Sequence, residues 1–175
     1  MKTKKYELVA EKSIEYFGLK LFRIRALISF GVVSAGEEGG FVESEKNVDQ
    51  SGNAWVYGDA RVSGNAQVYG DAWVSGDARV SGNAQLLWVS KVGGELGVLT
   101  AFRNSFGGIT VTRGCFIGTL DEFRAAVIKK HGGTLHEKGY LGLANYIDWH
   151  FTELHPLGAG DIPPGLKAEA SRSKI

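Results

Sequence analysis

Cysteine, proline and long apolar runs are scarce in this sequence of 175 residues, and its three prolines all lie in the last twenty. The single cysteine, Cys115, cannot form a disulfide within the chain and is typical of a reducing compartment. No apolar run approaches the ~18 residues that a membrane-spanning helix needs, and residues 2–7 lack the apolar core of a secretion signal. We therefore expect a cytoplasmic protein that has no contact with a membrane.

An excess of charge of one sign is also absent. The chain has 20 Lys and Arg residues against 19 Asp and Glu residues, which gives a formal net charge of +1. This balance argues against a general nucleic-acid binder and against an acidic solvating tail. We therefore expect that nucleic acid is not a partner.

Glycine, in contrast, is abundant and partly periodic. The chain has 25 glycines, about twice the usual share of roughly 7%. From Gly52 it runs in six consecutive hexads, GNAWVY, GDARVS, GNAQVY, GDAWVS, GDARVS and GNAQLL, which end at Leu87. Each hexad has Gly, then Asn or Asp, then Ala, and an aliphatic residue at the fifth position. Self-similarity at a fixed short period indicates a repeat architecture.

The hexad pattern predicts a short strand followed by a corner. Alanine and the aliphatic residue are two positions apart, so in an extended segment they point to one face, which we expect to be the inner one. Gly-Asn and Gly-Asp are turn dipeptides that tolerate positive φ. Short strands joined by repeated corners predict a solenoid rather than a flat sheet.

A second period of eighteen residues supports this winding. The residue between alanine and the aliphatic position is, in order, Trp55, Arg61, Gln67, Trp73, Arg79 and Gln85. Three hexads therefore form one coil, and like residues stack on like at the ordinary strand spacing of about 4.8 Å. The pattern predicts three outer faces, which we name the tryptophan face, the arginine face and the glutamine face.

The hexads resemble the hexapeptide repeats of left-handed parallel β-helix proteins. That resemblance implies a triangular prism of parallel strands and a homotrimer packed side by side. One position departs from the family pattern, which usually has a small residue directly after the aliphatic one. Here Tyr, Ser or Leu comes first and glycine follows.

The segment before the repeat, GGFVESEKN at residues 39–47, resembles the lead-in of phage and prophage proteins that carry such repeats. This second similarity covers most of residues 5–125. It implies a phage-encoded accessory protein, which would act in the cytoplasm of the host cell. The similarity itself names no ligand and no host factor.

The flanking segments carry their own patterns. Residues 5–9 and 17–27 read as strands, and alternation of apolar and basic residues in the second predicts a half-buried strand. After the repeat, residues 97–103 and 108–113 predict a β-hairpin. A first helix then begins at the capping box Thr119 to Glu122, with Leu120, Phe123 and Val127 on its apolar side and Gly132 and Gly133 at its end.

A second helix is predicted at about residues 138–154. Its apolar side would consist of Tyr140, Leu143, Ala144, Ile147, Phe151 and Leu154.

These patterns predict a mainly β fold. Its centre is a short left-handed parallel β-helix of two to three coils, because two degenerate hexads around Val42 and Val48 precede the regular ones. An N-terminal β cap and a C-terminal hairpin with two α-helices flank it. The predicted boundaries are 1–39 for the cap, 40–88 for the β-helix, 89–155 for the hairpin and helical unit, and 156–175 for a flexible tail. So short a stack exposes two strand edges, so we expect caps and lateral association.

The tryptophan face is the first candidate binding surface. If Trp55 and Trp73 point outward beside Tyr57, they form an aromatic patch of about 300–500 Å², which a soluble monomer does not leave exposed. We expect a neighbouring subunit to cover it, so these three residues are the predicted trimer interface. The alternative is that the chain's own C-terminal helices cover the patch and that the protein is a monomer.

The arginine face is the second candidate. Arg61 and Arg79 would stand one coil apart, about 5 Å, and like charges at that distance repel. Acidic residues of the hexad corners would compensate them, namely Asp59, Asp71 and Asp77. Otherwise the pair would hold a phosphate or carboxylate.

Two further arginines, Arg23 and Arg25, alternate with apolar residues in the N-terminal strand. They are candidates for an anion-binding edge. A solvated strand face is the favoured alternative, because exposed arginines are common on the polar side of a strand.

Catalysis is not predicted. Acyltransferases of the resembling family use a histidine near the coils as a general base, whereas the first histidine here is His131, well after the repeat. Cys115 reads as a small core residue, and His150 with His155 alone does not make a metal site. We therefore predict no catalytic residue, no metal and no cofactor, with an acyltransferase-like enzyme as the alternative.

The predicted function is that of a trimeric, phage-type binding module that engages or inhibits a host factor. A host defence system is the expected target, reached by protein contact or by sequestering a small nucleotide. A structural element of a virion or of a cytoskeleton is the third possibility.

Overall fold

The computed structural model describes residues 3–16, 18–76, 78–82 and 85–158, and within them the protein is mainly β with two α-helices. The elements are β1 (Tyr6–Tyr16), β2 (Leu19–Ala26), β3 (Glu38–Val42), β4 (Trp55–Val56), β5 (Arg61–Val62), β6 (Trp73–Val74), β7 (Arg79–Val80), β8 (Leu86–Val92), β9 (Gly97–Arg103), β10 (Ile109–Arg113), β11 (Phe116–Thr119), α1 (Leu120–His131) and α2 (Leu135–Trp149). The mainly β prediction is confirmed.

The N-terminal segment forms an antiparallel hairpin. Strand β1 pairs with β2, and the register shifts at a bulge between Val9 and Ser13. In β2, Ile24 and Ala26 are buried while Arg23 and Arg25 point to the other face. The alternation read from the sequence is therefore confirmed for residues 23–26. It fails before them, where Leu21 is fully buried and Phe22 is only half-buried.

The repeat pairs with itself at the predicted offset of eighteen residues. Strands β4 and β6 are parallel with Trp55 opposite Trp73, and β5 and β7 are parallel with Arg61 opposite Arg79. Strand β3 adds to this series, with Phe41 opposite Arg61. Like residues therefore stack on like on two of the predicted faces.

The inner positions of the hexads form the core, as predicted. Alanine and valine at these positions have almost no exposed surface, which applies to Ala54, Val56, Ala60, Val62, Ala66, Val68, Ala72, Val74, Ala78 and Val80. The corner glycines at 52, 58, 64, 70 and 76 have φ between 59° and 65°. At Gly52 a Cβ atom would lie 2.7 Å from the carbonyl oxygen of Gly70, so the corners stack as closely as the strands.

The sheets as a whole are not those of a solenoid. The largest has the order β1-β2-β3-β5-β7 and changes from antiparallel to parallel pairing at β3. Strands β4 and β6 form a separate pair, and between the hexads of Val48 and Val68 the described residues form one isolated parallel bridge.

The end of the sixth hexad leaves the parallel pairing of the earlier ones, and the predicted range of 40–88 for the repeat stays a prediction. Leu86 begins β8, a strand of seven residues that pairs antiparallel with β9. Gly82 does not take the positive φ of the preceding corner glycines. From Leu86 the chain runs in the C-terminal sheet.

The C-terminal part is an antiparallel sheet, β11-β10-β9-β8, covered by the two helices. The predicted hairpin is confirmed as β9 and β10. Helix α1 begins at the predicted capping box, in which the Glu122 amide donates to Thr119 Oγ1 at 3.2 Å and the Thr119 amide donates to Glu122 Oε2 at 2.7 Å. The buried residues of α1 are Leu120, Phe123 and Val127, as predicted.

Helix α2 differs from the prediction at both ends. It begins at Leu135 because Thr134 caps it, with its side chain accepting from the Glu137 amide. After Trp149 the chain continues as a π turn, in which the His155 amide donates to the carbonyl of His150. This wider turn changes the angular register, so Leu154 is half-exposed rather than on the apolar side.

Two core clusters meet at strands β8 and β9. Leu86 and Phe102 are opposite each other and belong to the core of the repeat, whereas the next pair, Leu87 and Ala101, faces the helices. Among the described residues, neither helix has the length and apolar character that crossing a membrane requires. The predicted tail lies, apart from residues 156–158, outside the described residues.

Candidate binding cleft beside the repeat

Trp55 is buried within its own chain, so the prediction that it points outward to a neighbouring subunit is wrong. Its side chain has no exposed surface. Tyr6 and Phe30 pack edge-to-face against it, with ring centroids at 6.0 Å and 5.3 Å. The N-terminal flank therefore covers this part of the tryptophan face, and the cover is neither a subunit nor the C-terminal helices.

Trp73 and Tyr57 are half-buried and contact each other, with ring centroids 5.3 Å apart. The Trp73 indole Nε1 donates to the carbonyl of Asn53 at 3.3 Å, and its amide donates to Thr100 Oγ1 at 3.2 Å. These bonds hold Trp73 between the corner of the preceding coil and strand β9. A subunit contact through Tyr57 and Trp73 stays a prediction.

On the arginine face, Arg61 and Arg79 share one aromatic ring. Their Cζ atoms lie 4.5 Å and 5.0 Å from the centroid of Tyr16, and Arg79 Nη1 donates to the Tyr16 hydroxyl. Within the described chain, the buried Nε of Arg61 has no hydrogen-bond partner. Cation–π contacts with an N-terminal residue thus replace part of the expected compensation by carboxylates.

The acidic residues expected between these arginines are elsewhere. Asp59 pairs with Arg23 at 3.0 Å, and Asp71 accepts from Asn53, so the prediction for both is wrong. Asp77 lies outside the described residues. Anion binding by Arg61 and Arg79 stays a prediction.

Arg23 and Arg25 are engaged with groups of the same chain. Arg23 donates to the carbonyls of Gly39 and Gly58 at 2.8 Å and 3.2 Å, which fastens β2 to the first coil. Arg25 pairs with Glu7, whose carboxylate raises the pKa of the arginine. The structure therefore does not join these two to Arg61 and Arg79 in one anion site.

A cleft of about 350 Å³ opens beside Trp73, where the repeat meets the C-terminal sheet. The loop after β2, two hexad corners and strands β6, β9 and β10 contribute its walls. Its lining consists of Gly31, Val32, Asn53, Asp71, Trp73, Gly97, Val98, Thr100, Thr112, Arg113 and Gly114. Three distant segments of the chain therefore meet at one concave surface.

Asn53 and Asp71 form the polar corner of the cleft. They occupy the same hexad position eighteen residues apart, and Asn53 Nδ2 donates to Asp71 Oδ1 at 2.9 Å. The described residues provide no hydrogen bond to the other carboxylate oxygen, Oδ2, of Asp71, or to Asn53 Oδ1. We did not predict this pair, although the eighteen-residue period that stacks Trp55 on Trp73 would have indicated it.

Arg113 also lines the cleft and carries its positive charge. Its Nη2 donates to the carbonyl of Val92 at 2.9 Å, and Glu95 Oε2 lies 3.9 Å away on an exposed side chain. Gly97 makes room for it, because a Cβ atom there would lie 2.5 Å from Arg113 Nη1. No sequence pattern indicated this residue, since only the tertiary fold brings β10 to the repeat.

The residues that carry most chemical reactivity lie elsewhere. The four histidines are on α2, at the end of α1 and in the π turn, where His131 contacts His136 and His150 contacts His155. Among residues 3–158 as described, no group of three His, Cys, Asp or Glu is placed to hold a metal. Cys115 is exposed in the turn between β10 and β11, so its prediction as a core residue is wrong.

The cleft thus combines an indole, a carboxylate with an open oxygen and a guanidinium. Such a set can bind and orient a small ligand by stacking, hydrogen bonding and charge. The sequence matches no protein-family model and no curated protein.

Proposed function

We propose that this protein is a non-catalytic binding module that takes a small, flat, polar ligand in the Trp73 cleft. The observation that carries the proposal is the cleft itself, whose volume of about 350 Å³ is that of a small-molecule site. Trp73 supplies an aromatic surface, and Asp71 and Arg113 supply charges of opposite sign. Mostly apolar walls with a few placed polar groups are typical of ligand sites.

A thermal-shift screen with nucleotides, nucleosides and amino acids tests this proposal. A ligand at 100 times its dissociation constant stabilises the folded state by about 2.7 kcal/mol. We expect Trp73→Leu to abolish the stabilisation and Trp149→Leu, at a half-exposed tryptophan of α2, to retain it. Stabilisation that survives Trp73→Leu, or a screen without any ligand, would contradict the proposal.

We further propose that the repeat winds as a short left-handed β-helix. The eighteen-residue offset of both parallel pairs, the positive φ of the corner glycines and the resemblance to hexapeptide repeats support it. Duplicating residues 58–75 adds one full coil and should leave the fold intact. Duplicating only residues 64–69 displaces every later face by one side and should destabilise the chain. Equal effects in urea unfolding would speak against coil winding.

The protein would associate side by side as a homotrimer, with Tyr57 as the remaining predicted contact. Trp73, also expected as a contact from the sequence, is assigned to the ligand cleft here, and Trp55 is buried in its own chain. Tyr69, half-exposed beside Trp88 on the glutamine face, supports a further contact there. Light scattering at micromolar concentration should give about three times the chain mass of 18.9 kDa. A mass near that of one chain would reject the trimer.

In its biological role the module would be a phage-type accessory protein that engages a host factor such as a defence system. The resemblance of residues 39–47, extending over most of residues 5–125, to phage proteins that carry such repeats supports this role. The Trp73 cleft favours the version in which a small nucleotide is sequestered over the one based on protein contact. Affinity capture from host lysate, followed by analysis of both bound proteins and bound nucleotides, separates the two versions.

A further inference from the structure

The polar corner of the Trp73 cleft offers hydrogen-bond acceptors to a ligand. Asp71 Oδ1 is occupied by Asn53 Nδ2, while Asp71 Oδ2 and Asn53 Oδ1 receive no hydrogen bond from the described residues. Both open atoms are oxygens without a proton. A ligand that fits this corner must therefore present adjacent donors along one edge, because an acceptor placed there would face two oxygens.

Among flat biological rings with polar edges, guanine has such an edge. Its ring N1–H and its exocyclic amino group are neighbouring donors, which Asp71 Oδ2 and Asn53 Oδ1 would accept between them. Adenine and cytosine each present one amino donor beside a ring nitrogen that accepts. The corner would thus admit guanine and disfavour the other two bases, which is selection by repulsion as well as by attraction.

Trp73 provides the surface on which the base would stack. Its indole contacts Tyr57, with the ring centroids 5.3 Å apart, and its Nε1 donates to the carbonyl of Asn53. The ring is therefore fixed next to the acceptors before a ligand arrives. Aromatic side chains fixed in this way are common platforms for bases.

Arg113 favours a ligand that carries a negative charge at the end of the cleft where this arginine lies. Arg113 lines the same cleft with a mostly buried side chain. Its acidic neighbour Glu95 is 3.9 Å away and mostly exposed to solvent, where its charge is screened. A cationic ligand, such as an arginine side chain, would meet repulsion here. A phosphate would meet a guanidinium that matches its geometry.

We infer that the ligand of the Trp73 cleft is a guanine nucleotide, with the base on Trp73, its donor edge at Asp71 and its phosphate towards Arg113. This inference rests on the proposed function, since it names the ligand class of that same cleft. The volume of about 350 Å³ lies at the small end of ligand sites, which favours a mononucleotide.

Calorimetric titration with GMP, IMP, AMP and guanosine tests the inference. We expect GMP to bind at least about tenfold more tightly than AMP, with IMP between them because it lacks the amino group. Asp71→Asn should reduce GMP affinity at least about tenfold. The matched control is Asp59→Asn, at the same hexad position but outside the cleft lining, and it should leave GMP affinity unchanged.

A modified ligand tests the same hydrogen bonds without requiring that a protein variant folds. If Asp71→Asn does not fold, the wild-type chain can be titrated with 1-methyl-GMP, which has no N1–H donor and should bind at least about tenfold more weakly than GMP. Arg113→Gln should make GMP and guanosine bind alike.

These titrations distinguish failure of the guanine inference from failure of the proposed binding function. Equal binding of GMP and AMP, lost together in Trp73→Leu, would overturn the guanine inference and leave the cleft as a ligand site. Binding of none of these nucleotides, with a different compound held through Trp73, would do the same. Absence of any Trp73-dependent ligand would overturn both.

Discussion

At the scale of single residues, Trp55 and Trp73 show how an identical repeat position acquires two roles. Both follow an alanine in the hexad and both pair with each other across parallel strands. Trp55 lies in the coil next to the N-terminal flank and is fully buried, whereas Trp73 lies beside β9 and lines the cleft. The repeat places the two indoles, and their neighbours decide which is core and which is site.

Replacing each tryptophan by alanine should therefore have unequal effects. Trp55→Ala removes a fully buried side chain and should lower the free energy of unfolding by about 3–5 kcal/mol. Trp73→Ala removes a half-buried one and should cost about half as much or less. Urea unfolding followed by circular dichroism measures both, and equal losses would show that Trp55 is not the more buried residue in solution.

Lys5 is a second residue whose environment the repeat determines. Its ammonium is buried at the first coil, where it donates to the carbonyls of Ala54 at 2.9 Å and Ser51 at 3.2 Å. Burial lowers its pKa from 10.5 to about 8, and the charge of Asp49 opposes part of this change. The folded chain thus loses this proton at a lower pH than the unfolded chain does.

Stability should consequently depend on pH through Lys5. Between about pH 8 and 10.5 the unfolded chain binds more protons at this residue, so its contribution to the free energy of unfolding rises with pH. Tyr6 acts in the opposite direction above about pH 10, because burial raises its pKa and only the unfolded tyrosine ionises. Tyr6 contributes equally to the free energy of unfolding of the wild type and of Lys5→Met, so the difference between the two at each pH isolates Lys5. The difference should grow from pH 8 to 10.5, and a flat or falling difference would refute the assignment.

At the scale of elements, the close approach of β3 to the first coil depends on glycine. A Cβ atom on Gly39 would lie 2.5 Å from the carbonyl oxygen of Val56 and 2.7 Å from the indole of Trp55. The neighbouring Gly40 faces the carbonyl of Ala60 in the same way, at 2.6 Å. This strand therefore reaches the repeat only because two successive residues have no side chain.

Gly39→Ala should force the two elements apart and lower the free energy of unfolding by about 1–3 kcal/mol. The matched control is Gly139→Ala in α2, where a Cβ atom meets nothing within 4 Å. That substitution should raise the free energy of unfolding by about 0.5–1 kcal/mol, because alanine favours the helix. Chemical denaturation should show changes of opposite sign in the free energy of unfolding of the two variants. Destabilisation by both would show that Gly139 does not have room for a Cβ atom.

The elements that could be predicted are those determined by residues close together in the sequence. Helix α1 follows from its capping box and apolar spacing, and the hairpin of β9 and β10 follows from its turn residues. The π turn after Trp149 was missed because no nearby sequence signal distinguishes it from a continued α-helix. The sixth hexad was assigned to the repeat because its sequence matches, whereas pairing with β9 takes it into another sheet.

At the scale of the whole molecule, strands β8 and β9 belong to both cores. Alternate residues face opposite sides, so Phe102 packs into the repeat and Ala101 packs under the helices. Loss of either core would expose one face of the shared sheet. The two parts are therefore expected to be coupled in stability.

Unfolding should accordingly occur in one transition. Tryptophan fluorescence, to which buried Trp55 contributes, and helical circular dichroism at 222 nm should give coincident urea midpoints. Helices that unfold at a lower urea concentration than the repeat would show that the shared strands do not couple the cores.

Short-range periodicity by itself determined the mainly β class, the inward alanine and valine positions, the corner glycines and the stacking of residues eighteen apart. These features depend on which face of a strand a residue occupies and which φ a corner needs, and both are local. Only the tertiary structure decided that Tyr6 and Phe30 cover Trp55, that Tyr16 lies against Arg61 and Arg79, and that Arg113 and Trp73 line one cleft. The reason is physical: such contacts join residues far apart in sequence, and burial of apolar surface selects them without a specific sequence spacing.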